Sequence, residues 1–141
     1  MSDTAPALYR VQAESTVGGA ARASAKQATI VFDASAGQSE EIPGPADLLA
    51  SAFAACVLKN VERFSESLPF RYERAFLTVE AQRQSSPPKI TSVHYVLRVV
   101  TDEPERRLQL LHTNIRRHGT IFNTLAAVCS VTGEIVAEPV G

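Results

Sequence analysis

The chain has 141 residues, 45% of them hydrophobic and 21% charged, enough to bury a core without disulfides or metal. Its formal charge of −1 supplies no electrostatic footing for nucleic acid or an acidic membrane. No run approaches the ~18 apolar residues of a membrane-spanning helix, and "MSDTAPALYR" lacks the build of a secretory signal, so the expected class is a single globular domain over residues 1–141, in the cytoplasm, with no nucleic-acid or membrane partner.

In chain order, "ALYRVQAES" and "QATIVFDAS" read as strands, the second with a β-branched centre at Thr29, Ile30 and Val31, and "VGGAARAS" between them reads as a turn. The polar "SAGQSEEIPGP" ends in Pro45, a residue suited to the first turn of a helix because its missing N–H would be unpaired there. "PADLLASAFAACVLKNVERF" then reads as a long helix closed by Pro69, with Leu49, Ala52, Phe53, Cys56, Asn60 and Phe64 on one buried stripe.

"RYERAFLTVEAQRQ" and "ITSVHYVLRVVT" alternate as two strands of a hairpin around "SSPPK". "DEPERRLQLLHTNIRRHG" carries both helix signals, acids with a Pro at the start and Arg116, Arg117, His118 and Gly119 at the end, with Leu108, Leu111 and Ile115 on its apolar stripe. "TIFNTLAAVCSV" fits a helix or an extended segment equally, and "GEIVAEPV" reads as a final strand. This order gives an α+β domain with helices on one side of a mainly antiparallel sheet.

The chemistry-bearing candidates are two cysteines, Cys56 and Cys129. A helical Cys among Ala and Phe is, on composition alone, most often a small inert hydrophobe. The pair fits no CxxC or zinc-ligand spacing, so only the fold can bring the two together, and a disulfide would need Cα atoms within about 7 Å. His94, His112 and His118 fall on a strand and on different faces of the second helix, which argues against a metal site. His118 suits a helix C-terminus, and "GGAARAS" lacks the ending of a phosphate-binding loop. No metal or organic cofactor is expected.

"GPADLLASAFAAC" and the late "CSV" resemble the OsmC/Ohr family of osmotically inducible and organic-hydroperoxide-resistance proteins, with element order similar from about Val17 to Val140. The resemblance implies an intertwined homodimer and a thiol-dependent peroxidase acting on organic hydroperoxides with an external dithiol as reductant. Carried over by position, Cys56 is the peroxidatic thiol and Cys129 the resolving one. The family's thiolate-stabilising Arg comes from its N-terminal strand region, where Arg22 is the first candidate and Arg10 the second, each with a solvated-surface alternative.

The family's acid is less straightforward. The organic-hydroperoxide branch has Glu directly after the Pro, where this chain has Ala46; other OsmC-like branches place an acid one residue later, where this chain has Asp47, so the resemblance leans to the broader OsmC-like group. Asp47 also suits the positive end of its helix. Nine helical residues separate Asp47 from Cys56, about 900° of rotation and roughly 13.5 Å of rise, so any contact with the Cys56 site must come from a partner subunit. Phe53, Phe64 and Phe122 are candidate pocket walls for an alkyl chain as well as core residues. The competing readings are a non-enzymatic dimer of the same fold with structural cysteines, and a redox sensor.

Overall fold

The structure is a computed structural model, and it describes residues 6–141. The element order is β1 (Gln12–Ser15), β2 (Ala20–Ala25), β3 (Ala28–Asp33), α1 (Pro45–Ser67), β4 (Arg74–Ser85), β5 (Pro88–Val100), α2 (Glu105–His118), α3 (Thr120–Ala126) and β6 (Ser130–Glu138). The chain divides into two compact units, one up to Leu48 and one over Leu49–Gly141.

The N-terminal unit is an antiparallel meander in the order β1-β2-β3, with Gln12 opposite Ser24 and Ala20 opposite Asp33. The stretch read as one turn is therefore mostly the central strand. The turn proper is Thr16–Gly19, where Gly18 and Gly19 hold φ near +99° and +98°, a region side chains rarely enter. Ala20–Ala25 escaped detection because alanine has weak strand preference and the segment does not alternate in polarity. Ser35 and Ser39 donate backbone N–H groups to the Asp33 carboxylate, and the Ser35 side-chain hydrogen bond first, then these two, hold its pKa below the usual range.

The C-terminal unit holds a three-stranded sheet in the order β4-β5-β6. β4 and β5 form the expected hairpin, turning at Ser86 and Pro87. β6 runs parallel to β5, with Val93 opposite Val131 and Leu97 opposite Ile135, which makes this sheet mixed. A parallel return needs a long crossover, and α2 with α3 supplies it. The segment that fitted either state is helical over Thr120–Ala126 and then turns, and the final strand starts at Ser130, three residues before the expected run.

One face of this sheet (Val93, Tyr95, Leu97, Val99 and Ile135) joins Phe53, Val57 and Val61 of α1, Leu108, Leu111 and Ile115 of α2, and Phe122 and Leu125 of α3 in a single core. The α2 stripe is as expected, fully buried at all three leucine and isoleucine positions. The α1 face is rotated from the expected one: Val57 and Val61 are buried, Cys56 and Phe64 are half-buried, and Leu49 and Ala52 are exposed. Arg107 of α2 donates to the Leu68 carbonyl just past α1, tying the end of that helix to the start of the crossover.

Candidate functional site

Cys56 lies mid-way along α1, half-buried at the edge of the core, and Asn60 follows one turn later on the same face. Asn60 is only 6% exposed and directs its Nδ2–H donor at the Cys56 sulfur, 3.8 Å away. Above them passes the junction between α2 and α3. A methyl group placed on Gly119 would come within 3.0 Å of Cys56 Sγ, Asn60 Nδ2 and Phe122 Cβ. Gly119 itself has φ −77° and ψ 125°, a conformation open to any residue, so its glycine is explained by room and not by backbone freedom.

Cys129 sits at the other end of α3, on the turn into β6, and is also half-buried against the core. Its backbone N–H donates to the Leu125 carbonyl at 2.9 Å and its thiol donates to the same oxygen at 3.2 Å. Both cysteines are free thiols. The two thus stand in opposite hydrogen-bond roles: Cys56 sulfur accepts, which a thiolate does better than a thiol, and Cys129 sulfur donates, which only a thiol can do.

Beneath α2 lies a polar chain that sequence reasoning did not find. Arg116 donates to the hydroxyl oxygen of fully buried Tyr95 at 2.9 Å, and that hydroxyl is 2.7 Å from His112 Nε2. With Arg116 donating to the phenol oxygen, His112 Nε2 is the acceptor in reach of the Tyr95 proton, and in that tautomer the imidazole carries its own proton on Nδ1. Burial pushes the Tyr95 phenol up, against the Arg116 hydrogen bond and charge; burial first, and the Arg116 charge second, push His112 down. Arg116 also lies 5.1 Å over the Phe122 ring and reaches the Val131 carbonyl at 3.4 Å. Gly133 faces the Tyr95 ring so closely that a Cβ would fall 2.3 Å from it. The readable signal for this chain was His112 at helical spacing with Arg116.

The arginine and acid candidates, Arg22, Arg10 and Asp47, lie in the N-terminal unit. Arg22, on β2, pairs with Glu14 at 3.3 Å, both side chains well exposed, and lines an open groove with Gln12, Ser24 and Thr29. Arg10 is exposed ahead of β1. Asp47 accepts the Gly44 backbone N–H at 3.0 Å, the reach-back of a third-position acid to its helix cap, so the helix-end explanation accounts for its place. Phe53 and Phe122 are core residues with ring centroids 5.4 Å apart, and half-buried Phe64 stacks at 5.5 Å on His118. His94 bonds Thr132 on the neighbouring strand at 2.8 Å. Among the described residues no three His, Cys, Asp or Glu side chains gather as metal ligands, and no helix is long and apolar enough to cross a membrane.

Residues 37–134 match the family model described as OsmC-like protein. The fold is similar to an OsmC-like protein from Mycoplasma pneumoniae at TM-score 0.83 and 17% identity, covering 96% of this chain and 99% of that one. It is also similar to an organic hydroperoxide resistance protein from Legionella pneumophila (TM-score 0.73, 17% identity, 93% and 99% covered) and to the organic hydroperoxide resistance protein OhrB of Bacillus subtilis (TM-score 0.68, 20% identity, 92% and 99% covered). No curated protein sequence gives a significant match.

Proposed function

The chain belongs to the OsmC-like protein family, and from that premise we propose that it is a thiol peroxidase that reduces organic hydroperoxides through Cys56. The observation that carries the reading is the pair of free thiols on one core, Cys56 as hydrogen-bond acceptor and Cys129 as donor. That asymmetry suits a nucleophile and a resolving partner. The organic hydroperoxide resistance proteins of the same fold support the substrate class.

In the proposed cycle the Cys56 thiolate attacks the distal peroxide oxygen: an S–O bond forms, the O–O bond breaks, and the departing alkoxide takes a proton to leave as the alcohol. The Cys129 thiol then displaces hydroxide from the sulfenic acid, forming the disulfide and releasing water. An external dithiol returns both sulfurs to thiols by exchange. A free thiol with a pKa near 8.5 is mostly protonated at neutral pH, so a cation adds to the rate, and Arg22 is assigned that role by resemblance, with Asp47 as its acid. Both assignments go with a homodimer in which a second copy supplies what one chain's Asp47 cannot reach. Apolar substrate tails are favoured over H2O2 by about 25 cal/mol per Å2 of surface buried, and the cytoplasm is the compartment that keeps such thiols cycling.

The test is steady-state consumption of cumene hydroperoxide and of H2O2 with a dithiol reductant, for the natural protein, Cys56→Ser and Cys129→Ser. Multiple turnovers lost in Cys56→Ser, with cumene hydroperoxide preferred, are the expected result. No turnover by the natural protein overturns the reading in favour of a non-enzymatic dimer, and a single equivalent consumed per chain favours a redox sensor.

A further inference from the structure

We propose that Asn60 is a catalytic residue of the Cys56 site, its carboxamide N–H holding the sulfur in the acceptor role while Gly119 keeps the space above both atoms open. The proposal rests on the thiol-peroxidase reading for its chemical purpose, though not for its test.

Three observations converge on it. Asn60 is a buried polar residue on a helix face otherwise built from Phe53, Val57 and Val61, a position where an amide costs stability unless its donors are used. The partner its Nδ2 finds is the Cys56 sulfur at 3.8 Å. A neutral thiol is a weak acceptor, so as a purely structural device this bond returns little for an amide that leucine could replace. Toward a thiolate the same contact becomes a charge-assisted hydrogen bond of about twice the strength, so its value appears when the proton leaves. Asn60 is then favourable to the state that reacts and nearly indifferent to the state that does not, the difference on which catalysis depends.

Gly119 adds an independent constraint. Its backbone angles suit any residue, yet any Cβ there would press at 3.0 Å on both Cys56 Sγ and Asn60 Nδ2. A side chain at 119 would either push the amide off the sulfur or cover the sulfur itself. The glycine at the α2–α3 junction and the asparagine one turn after the cysteine therefore serve the same two atoms. A carboxamide also carries no charge and no titration of its own near neutrality, so it favours the anion without competing with it for a proton. In the attack on a hydroperoxide the amide donates throughout and exchanges nothing: the S–O bond forms and the O–O bond breaks with the Asn60 N–H still on sulfur.

The experiment follows alkylation of Cys56 by iodoacetamide from pH 5 to 10 in a Cys129→Ser background, where one thiol remains. In Asn60→Leu the rate at pH 7 is expected to fall about 3- to 10-fold while the high-pH plateau is kept, so that the midpoint of the profile moves up. In Asn60→Asp, of the same size, a carboxylate faces the sulfur and the midpoint moves further in the same direction. Gly119→Ala is expected to lower the plateau by crowding. Circular dichroism and thermal melting qualify each variant, and the Asp isostere carries the test where the Leu variant does not fold. Folded Leu or Asp variants with the parent's midpoint overturn the proposal. Since alkylation needs no peroxide, an Asn60-dependent midpoint in a protein without peroxide turnover overturns only the peroxidase reading, and turnover with an Asn60-independent midpoint overturns only this one.

Discussion

The two units bury their hydrophobic residues to very different degrees. In the C-terminal unit, Phe53, Leu97, Leu108, Leu111 and Ile115 are wholly removed from solvent in one core between sheet and helices. In the N-terminal unit, Ala21 is the buried hydrophobic residue among those described, while Val17, Ile30, Val31 and Ile42 stay exposed. A three-stranded meander with one buried alanine has too little apolar contact to be stable by itself. The difference teaches that hydrophobic sequence does not by itself make a core: in the N-terminal unit it makes an exposed surface, one that a second copy would cover if the proposed homodimer buries it.

The sharpest way to break the comparison is to truncate one residue in each unit. Leu111→Ala is expected to destabilise the protein by about 2–5 kcal/mol, because it removes wholly buried methylene groups and leaves a cavity. Val31→Ala, at 58% exposure, is expected to change the stability of an isolated chain by less than about 0.5 kcal/mol. Urea unfolding at two protein concentrations checks both. A Val31→Ala loss comparable to that of Leu111→Ala, growing on dilution, would show that the meander is covered by association.

A second prediction probes the polar chain inside the better-packed unit. The folded state holds His112 below its usual pKa, so the unfolded chain takes up a proton near pH 6.5 that the folded one refuses. The corresponding stability is present above about pH 6.5 and is lost as pH falls toward the folded value. Thermal melts from pH 7.5 to 5 are expected to decline more steeply for the natural protein than for His112→Gln, whose amide oxygen can still accept the Tyr95 proton. Tyr95 acts in the opposite window: its raised pKa gives stability that is present below about pH 10 and lost as pH rises through the folded value. Equal acid slopes for the two proteins would mean that His112 titrates as a solvated group.

How much of this was legible depended on whether the signal was local. α2 was readable at both ends and on its buried stripe because Pro104, Gly119 and three periodic apolar residues all point the same way. α1 was readable in extent but not in orientation: "ASAFAAC" offers little contrast between faces, and Val57 with Val61 settle the buried side only when α2 and the sheet are in place. β2 was hidden by alanine, and the parallel register of β6 had no local sign at all. At the site, the pairing of Cys56 with Asn60 follows from a four-residue spacing, whereas the approach of Gly119 to both depends on where the crossover passes α1. The Tyr95, His112 and Arg116 chain likewise joins a strand to a helix: the four-residue spacing of His112 and Arg116 shows the helix half, and nothing local points to Tyr95.

The stability effects expected at Arg22 and Asp47 are also small, and there the smallness is informative. The Arg22–Glu14 pair is 61% and 66% exposed, so Arg22→Ala is expected to cost less than about 0.5 kcal/mol, the range of solvated ion pairs. Asp47→Ala removes the acceptor of the Gly44 N–H and a favourable charge at the helix start, at a cost of about 0.5–1 kcal/mol. If these residues do no more than their contacts within the N-terminal unit indicate, peroxide turnover stays within about twofold of the natural rate in both variants. If Arg22 serves the Cys56 thiolate, turnover falls at least tenfold while the urea midpoint barely moves, since a guanidinium whose visible partner is a solvated glutamate has almost no stability to lose. The same split in Asp47→Asn, which keeps a side-chain oxygen able to accept from Gly44 but removes the charge, separates an acid needed by the site from one needed by the helix.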